Sequence, residues 1–445
     1  MSDAAVQTAT PRKTFHPVVW LILYVPFGAL GGFITIALTN QASDHGISIT
    51  DGAWIAGSQM LTQWLKWLWA PAVDITLSPK RWYVLSTALS ALGVFTMSAI
   101  PLSNERLGML LVIIALASII NSVVGMSVEA MIASLTTPEE VGRVSAWFQA
   151  GNLGGNGVGG GLGLLLMQKM HATWMSGAIM GGLFMLCCTP LLLMPAVKAH
   201  SSELKPVEAV KNVATGLWGM LKTRVGFLTA LLCMLPVSTG AASGTLTQAA
   251  VAAHWGATTG DVVLVQGMFA GFITAIGCFV GGWVCDRMNA RTAYATFGIV
   301  LVVVAAAMAF FPPMPETAWH VAIPAIGFDL NVHMVYAAFN LVYAFGVGLS
   351  YAAFTAMVLV ALKGTAAATG YNVYASLSNF PIWWLGLLLG WAADPAKGAR
   401  HGPSTMLLTE AALGVVGVIV FAVATKAAGA RAAAAEPTPE PAATA

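Results

Sequence analysis

Twelve apolar stretches, each long enough to cross a lipid bilayer, follow one another along this 445-residue chain, and most charged residues lie between them. A membrane-spanning helix needs about 20 mostly apolar residues, because backbone groups find no water in hydrocarbon and a helix pairs them internally. Only 9% of the residues are charged, against about 25% in an ordinary soluble domain. We therefore predict an all-α membrane protein with twelve transmembrane helices.

The limits of the apolar stretches define the predicted spans. An even number of spans leaves both termini on one side of the membrane. Cytoplasmic loops carry an excess of Lys and Arg, so the distribution of the 20 basic residues places both termini in the cytoplasm. The spans cover residues 18–40, 52–75, 82–101, 107–135, 141–168, 173–196, 225–252, 261–285, 292–312, 332–362, 365–392 and 404–426. The basic residues on the cytoplasmic side are Arg12, Lys13, Lys80, Arg81, Arg143, Lys198, Lys205, Lys211, Lys222, Arg224, Arg287, Arg291, Lys363, Lys426 and Arg431.

The second half of the chain repeats features of the first. Pro26 in the first span corresponds to Pro236 in the seventh, and Asp74 after the second span corresponds to Asp286 after the eighth. Parallel duplication of a six-helix unit explains this spacing. The predicted division is a cytoplasmic segment 1–17, a six-helix bundle 18–196, a cytoplasmic central loop 197–224, a second six-helix bundle 225–426 and a disordered cytoplasmic tail 427–445.

Glycine and proline mark two spans as unusual. The fifth span carries a glycine at every fourth position, which forms a flat ridge for close packing against another helix. The seventh span carries the helix breakers of a bent gating helix. The ridge is Gly151, Gly155, Gly159 and Gly163, and the breakers include Pro236, Ser238, Thr239, Gly240, Ser243 and Gly244.

Two motifs carry a resemblance to a known family. The segment Gly-Gly-Trp-Val-Cys-Asp-Arg-Met-Asn-Ala-Arg at 281–291 resembles the cytoplasmic loop signature of the major facilitator superfamily. Within that superfamily, Leu-Lys-Trp-Leu-Trp-Ala-Pro-Ala-Val-Asp at 65–74 resembles the second-helix motif of the peptide, acetyl-coenzyme A and drug transporter family, which includes anhydromuropeptide permeases and siderophore importers. The segments 46–50, 139–142 and 368–371 extend this resemblance.

The resemblance implies a fold of two pseudo-symmetric six-helix bundles, a secondary transporter and a location in the bacterial inner membrane. Carboxylates at helix ends and arginines in tight turns can clamp neighbouring helices on the cytoplasmic side, and the clamp must open during transport. The predicted cytoplasmic gate consists of Asp74, Arg81, Arg143, Asp286, Arg287 and Arg291.

Few ionisable residues fall inside the predicted spans, where each charge costs roughly 2.5–3.5 kcal/mol. Glu129 in the fourth span is the first candidate for carrying a coupled proton, and Lys66 in the second span is the other candidate. The alternative is structural, since Glu129 could simply pair with Lys66 or Arg143. Glu410 in the last span is assigned an interfacial or packing role.

Tyrosines and amides recur inside several spans and could bind a polar solute. The same groups can instead hold helices together, so both roles stay open for each residue. The candidates for substrate binding are Tyr24, Asn121, Gln149, Asn152, Asn156, Tyr336, Asn340, Tyr343, Tyr371, Asn372, Tyr374 and Asn379.

Several classes of function lack support in this sequence. The eight histidines show no metal-ligand spacing, and neither a nucleotide-binding loop nor a catalytic triad can be assembled. We predict no enzyme, cofactor, metal or nucleic-acid partner. The expected function is proton-coupled symport that imports a siderophore, muropeptide or peptide-like solute, acting as a monomer with protons, a small molecule and the bilayer as partners. Drug or metabolite efflux by proton antiport and a transporter-like sensor are the alternatives.

Overall fold

A computed structural model describes residues 16–70, 73, 76–135, 141–195, 208, 211, 215, 218–219, 222–285, 287–313, 320–323, 328–331, 333–361 and 367–433. The first six helices are α1 (Val18–Asp44), α2 (Ile49–Leu65, continued by the 3-10 turn Lys66–Leu68), α3 (Pro79–Ala99), α4 (Leu107–Leu135), α5 (Val141–Gly157, continued to Lys169) and α6 (Thr173–Leu186, continued by the 3-10 turn Thr189–Leu192). The next six are α7 (begun by Arg224–Cys233), α8 (Thr259–Cys285), α9 (Ala290–Phe310), α10 (His333–Ala361), α11 (Ala367–Ala393) and α12 (Pro403–Ala433).

The helices agree with the predicted membrane fold. In the part of the chain that the structure describes, nine helices are long and apolar enough to cross a membrane. The three predicted spans outside this set correspond to α2, α5 and α7. Polar and glycine residues lower the hydropathy of α2 and α5, and α7 is interrupted. The all-α fold class is confirmed, and three helices include π-helical turns, at Phe33–Leu38, Val158–Leu162 and Val263–Phe269.

The interruption of α7 coincides with its predicted breakers. Helix geometry ends at Cys233 and returns in the short helices Ser243–Leu246 and Ala249–Ala252. Between them, Ser238 and Gly240 have left-handed φ angles of 56° and 62°. Glycine accepts this conformation at no steric cost, whereas a side chain at Ser238 makes it unfavourable. The break is therefore held by its surroundings.

Successive helices run in opposite directions, so the bundle has two end faces at which helices begin and end. α1 and α5 run parallel, since Leu21, Val25 and Ala29 lie beside Gly151, Gly155 and Gly159 in turn. α2 and α11 run antiparallel. We call the face where α1 begins and α12 ends the terminal face, and the face at the end of α1 and start of α2 the far face.

Glycine contacts hold α5 against two helices. A Cβ atom at Gly151, Gly155 or Gly159 would overlap a backbone carbonyl oxygen of α1, so the predicted ridge packs as expected. Another side of α5 meets α8, where Gly161 faces Gly267 backbone to backbone. The π-helical turns of α1, α5 and α8 pack together at this junction.

A short hairpin joins α9 to α10. Strands β1 (His320–Ile323) and β2 (Phe328–Asn331) pair antiparallel, with His320 opposite Asn331 and Ile323 opposite Phe328. These strands are not predicted from the sequence, because their segment lies outside the apolar stretches that define the predicted spans.

Candidate functional site

Glu129 lies on α4 in contact with α1. The Tyr24 hydroxyl donates a hydrogen bond of 2.9 Å to Glu129 Oε1. Tyr24 is only 4% exposed, and its ring lies 5.1 Å from those of both Phe27 and Phe148. A Cβ at Gly125, one turn before Glu129, would lie 3.1 Å from the Phe27 ring. The glycine therefore gives the aromatic side chains of α1 room beside the carboxylate.

Lys66 faces the same carboxylate from α2. Its ammonium interacts electrostatically with Glu129, at the point where α2 tightens into the 3-10 turn Lys66–Leu68. Just beyond this turn, the Trp69 indole N–H donates to Ser122 Oγ at 2.7 Å. The end of α2 is thus attached to α4, and the two predicted proton-coupling candidates lie together with Tyr24.

Several unpaired polar groups lie on α2 and on α11, which packs against it. Gln59 and Gln63 are 6% and 5% exposed, and Gln59 Oε1 and Gln63 Nε2 have no hydrogen-bond partner among the described residues. The same holds for the indole nitrogens of Trp64 and Trp383, whose rings stack at 5.7 Å with an angle of 13°. A buried polar group without a partner costs about 1–3 kcal/mol. Water or a polar solute beside these groups would satisfy them.

These four side chains, which we call the crossing cluster, are absent from the sequence-based candidates. The signal available in the sequence was the spacing of four residues between Gln59 and Gln63, followed directly by Trp64. Asn379, a predicted candidate, donates to the Gln63 backbone carbonyl at 3.5 Å.

Asn156 extends the polar lining toward α5. The Nδ2 atom of Asn156 and the Nε2 atom of Gln59 each lie 3.6 Å from where a Cβ at Gly31 would stand. Asn152 donates to Gln149 on its own helix at 3.3 Å. All three predicted amides of α5 are half-buried.

Other predicted substrate-binding residues bond to neighbouring helices. Asn121 donates to the Phe27 carbonyl at 2.9 Å, while its Oδ1 atom has no partner among the described residues. Tyr336 donates to the Leu246 carbonyl at 2.7 Å, and Tyr374 donates to the Gly226 carbonyl at 3.1 Å. Such bonds connect helices, the alternative role considered for these groups.

On α10, Asn340 accepts from Gln266 of α8 at 2.6 Å and donates to the Tyr336 carbonyl at 2.8 Å. Tyr343 donates to Glu410 of α12. The side chains of Tyr371 and Asn372 lie outside the described part of the chain.

The predicted cytoplasmic gate is only partly described. Asp74, Asp286 and the Arg143 side chain lie outside the described residues. The other three basic residues lie near the terminal face. Arg81 is exposed and lines a groove between α3 and α6. The Arg287 guanidinium lies 4.0 Å from the Trp283 ring centroid and donates to the Trp283 carbonyl. The backbone N–H of Arg291 donates to the Asn289 side chain. The gate stays a prediction.

Hydrogen bonds between the two halves cluster toward the far face. Thr39 and Asn40 of α1 bond to Thr247 of α7, at 3.1 Å to its hydroxyl and 2.9 Å to its carbonyl. Thr50 Oγ1 donates to Asp394 Oδ2 at 2.8 Å, joining the start of α2 to the end of α11. Burial alone would raise the pKa of Asp394, but hydrogen bonds from Thr50 and the Ala396 N–H hold it below its ordinary value.

We expect this far-face contact to weaken in acid. Because the pKa of Asp394 is lowered in the folded protein, its contribution is present at neutral pH and is lost as the pH falls through that pKa, below about 4. Asp394→Asn should lower the free energy of unfolding by on the order of 1 kcal/mol at neutral pH and converge with the wild type in acid. Thermal melting against pH checks this, and parallel curves at every pH would contradict it.

Comparison with known proteins agrees with this architecture. The family model of the Major Facilitator Superfamily matches residues 20–382. The structure of the nucleoside transporter NupG is similar with a TM-score of 0.61 at 13% identity, covering 92% of this chain and 98% of that one. A POT family transporter in complex with a thioalcohol-conjugated peptide is similar with a TM-score of 0.66 at 9% identity, covering 92% and 95%. The chain therefore belongs to the major facilitator superfamily and is a multi-pass membrane transporter, not an enzyme.

Proposed function

We propose that the protein is a proton-coupled symporter that imports a mid-sized polar solute by alternating access. The observation that carries the proposal is the hydrogen bond from Tyr24 of α1 to Glu129 of α4, together with the electrostatic interaction between Glu129 and Lys66 of α2. Ionisable residues within a membrane bundle are costly and mark ion or proton pathways. Glu129 would exchange the proton, and Tyr24 would orient its carboxylate.

The crossing cluster supplies the proposed solute contacts. Each of its four side chains has one buried polar atom without a hydrogen-bond partner among the described residues. The side chains belong to α2 and α11, one helix from each half, and a transporter of this build binds its substrate between its halves. Two amides with two stacked indoles suit a solute that has hydrogen-bonding groups and a flat or apolar face. Asn156 and Asn379 lie beside the cluster and would extend the site.

The proposal also covers the direction of transport and the orientation of the protein in its membrane. The terminal face would lie in the cytoplasm of a bacterial inner membrane, as the basic residues of the sequence suggest. The far face, closed by the Thr50–Asp394 contact, would then be outside. Import rests on the resemblance of the segment 65–74 to importers. A monomer would suffice, since the two halves themselves form the path.

The test uses the purified protein in liposomes loaded with a pH dye. Ferric siderophores, anhydromuropeptides, small peptides and nucleosides are added outside in turn, the last two because similar structures belong to transporters of those classes. Symport predicts that one class acidifies the lumen as the solute accumulates. Alkalinisation during solute entry would instead show antiport and favour the efflux alternative, and silence across the panel with an intact proton gradient would favour a sensor.

The crossing cluster makes a separate prediction about substrate affinity. Gln63→Leu removes the amide without disturbing the backbone carbonyl that Asn379 binds. We expect the apparent KM to rise by about tenfold, because one hydrogen bond to the solute is worth about 1.4 kcal/mol, while the protons carried per solute stay unchanged. Uptake kinetics measure both quantities. Ser58→Ala on the same helix is the control, since the Ser58 hydroxyl donates to the Trp54 carbonyl of its own helix. Equal KM values for the two variants would contradict the assignment.

A further inference from the structure

A second carboxylate is buried in the other half of the protein. Glu410 on α12 is 8% exposed, and its Oε1 atom accepts from the Tyr343 hydroxyl at 2.5 Å and from the Ala242 backbone N–H at 3.3 Å. Its Oε2 atom is buried and has no hydrogen-bond partner among the described residues. The position of Glu410 in the sequence predicts an interfacial or packing role, whereas the structure places this carboxylate inside the bundle at the junction of α7, α10 and α12.

The surroundings of Glu410 offer no compensating cation among the described residues. Tyr343 is the titratable group that faces it, from α10. A carboxylate in a membrane bundle normally pairs with a cation or gives up its charge, since an isolated buried ion is costly. The neighbours on the remaining packed helices are uncharged: Pro236, Ser238 and Thr239 of α7, Leu301 and Val302 of α9, and Leu385 of α11.

A small cavity adjoins the carboxylate. It measures about 20 Å³ and lies between Glu410 and the interrupted segment of α7. A cavity of this size holds one water, provided that polar groups surround it. The hydroxyls of Ser238 and Thr239 line it together with Glu410. A water in this cavity would lie next to the Glu410 carboxyl group and could exchange a proton with it.

The same carboxylate is attached to the break in α7. The backbone N–H of Ala242, which donates a hydrogen bond to Glu410 Oε1, lies directly before α7 resumes at Ser243. The strained left-handed conformation of Ser238 lies four residues earlier. A hydrogen bond to an ionised acceptor is about twice as strong as one to a neutral acceptor. The charge on Glu410 therefore changes how firmly the interrupted segment is held.

We propose that Glu410 is a second proton-binding site, located in the second half of the protein, and that the interrupted segment of α7 responds to its protonation. A proton delivered by water forms an O–H bond at Oε2 and neutralises the carboxylate. Release breaks that bond and returns the proton to water. The neutral form holds Ala242 weakly and frees α7 to move, and the ionised form holds it firmly. The role in transport rests on the proposed proton coupling, but the binding of a proton does not.

Infrared difference spectroscopy of the reconstituted protein tests proton binding directly. Spectra are compared at about pH 5 and about pH 8, because a group that carries protons must gain and lose them near the operating pH. We expect a carboxylic-acid C=O band that Glu410→Gln lacks and that Glu129→Gln and the exposed control Glu105→Gln retain. A Glu410→Gln spectrum identical to that of the wild type would overturn the proposal. If Glu410→Gln does not fold, Tyr343→Phe serves instead: it removes a hydrogen bond to the carboxyl, so it must shift the band, and an unshifted band overturns the proposal.

Transport measurements separate this proposal from the proposed function. Glu410→Gln mimics the neutral form, so it should retain solute counterflow while proton-driven accumulation falls at least tenfold. Unchanged driven accumulation would overturn the link between Glu410 and α7. If the wild type shows the infrared band but no solute acidifies the lumen, the proposed symport fails while the proton site stands.

Discussion

Gly159→Ala is expected to prevent α1 and α5 from packing and to leave little folded protein. A Cβ at this position would overlap the Ala29 backbone carbonyl oxygen, and backbone cannot move aside as a flexible side chain can. The helices would have to separate along the whole ridge. Overpacking typically costs about 1–3 kcal/mol, and we expect the upper end or beyond because Gly151 and Gly155 share the same close approach.

The matched control for this variant, Gly154→Ala, lies on the same helix. Gly154 is exposed, and a Cβ there would meet nothing within 4 Å. Alanine is favoured over glycine inside a helix by about 1 kcal/mol, so Gly154→Ala should be neutral or slightly stabilising. Size-exclusion profiles and melting temperatures of the two variants in detergent make the comparison. Similar behaviour of both would show that the ridge does not determine the packing of α5 on α1.

The membrane made the helices predictable from sequence. α4 was predicted at 107–135 and occurs at Leu107–Leu135, and α10 was predicted at 332–362 and occurs at His333–Ala361. The agreement follows from one constraint, since backbone groups in hydrocarbon must pair within a helix. The glycine ridge of α5 was also predictable from the sequence, because glycines at four-residue spacing have few uses other than close packing.

The rotation of each helix about its axis was much less predictable. In a soluble protein the polar side of a helix faces water, but lipid and protein neighbours are both apolar, so the pattern does not orient a membrane helix. For this reason the sequence could not show that Glu410 points toward Tyr343 or that Trp64 stacks on Trp383 of α11. The contact between Tyr24 and Glu129 joins residues 105 positions apart and depends on tertiary packing.

Glu129→Gln is expected to uncouple solute movement from protons. Glutamine keeps the size of the side chain and can still accept the Tyr24 hydroxyl hydrogen bond, but it cannot exchange a proton. Solute binding and counterflow should persist, since the crossing cluster is unchanged. Solute-dependent acidification should disappear, and the initial rate of proton-driven uptake should fall at least tenfold, equivalent to about 1.4 kcal/mol. Glu105→Gln, an exposed carboxylate between α3 and α4, should behave as the wild type.

A purely structural role for Glu129 gives a different pattern. Removing one member of a buried ion pair destabilises a protein by about 3–5 kcal/mol, because the other charge is left uncompensated. If Glu129 only neutralises Lys66, then Glu129→Gln should lower the melting temperature and abolish binding, and adding Lys66→Met should restore both folding and driven uptake. If Glu129 carries the proton, the double variant recovers stability but stays uncoupled, since no second substitution returns a group that can bind and release a proton at this position.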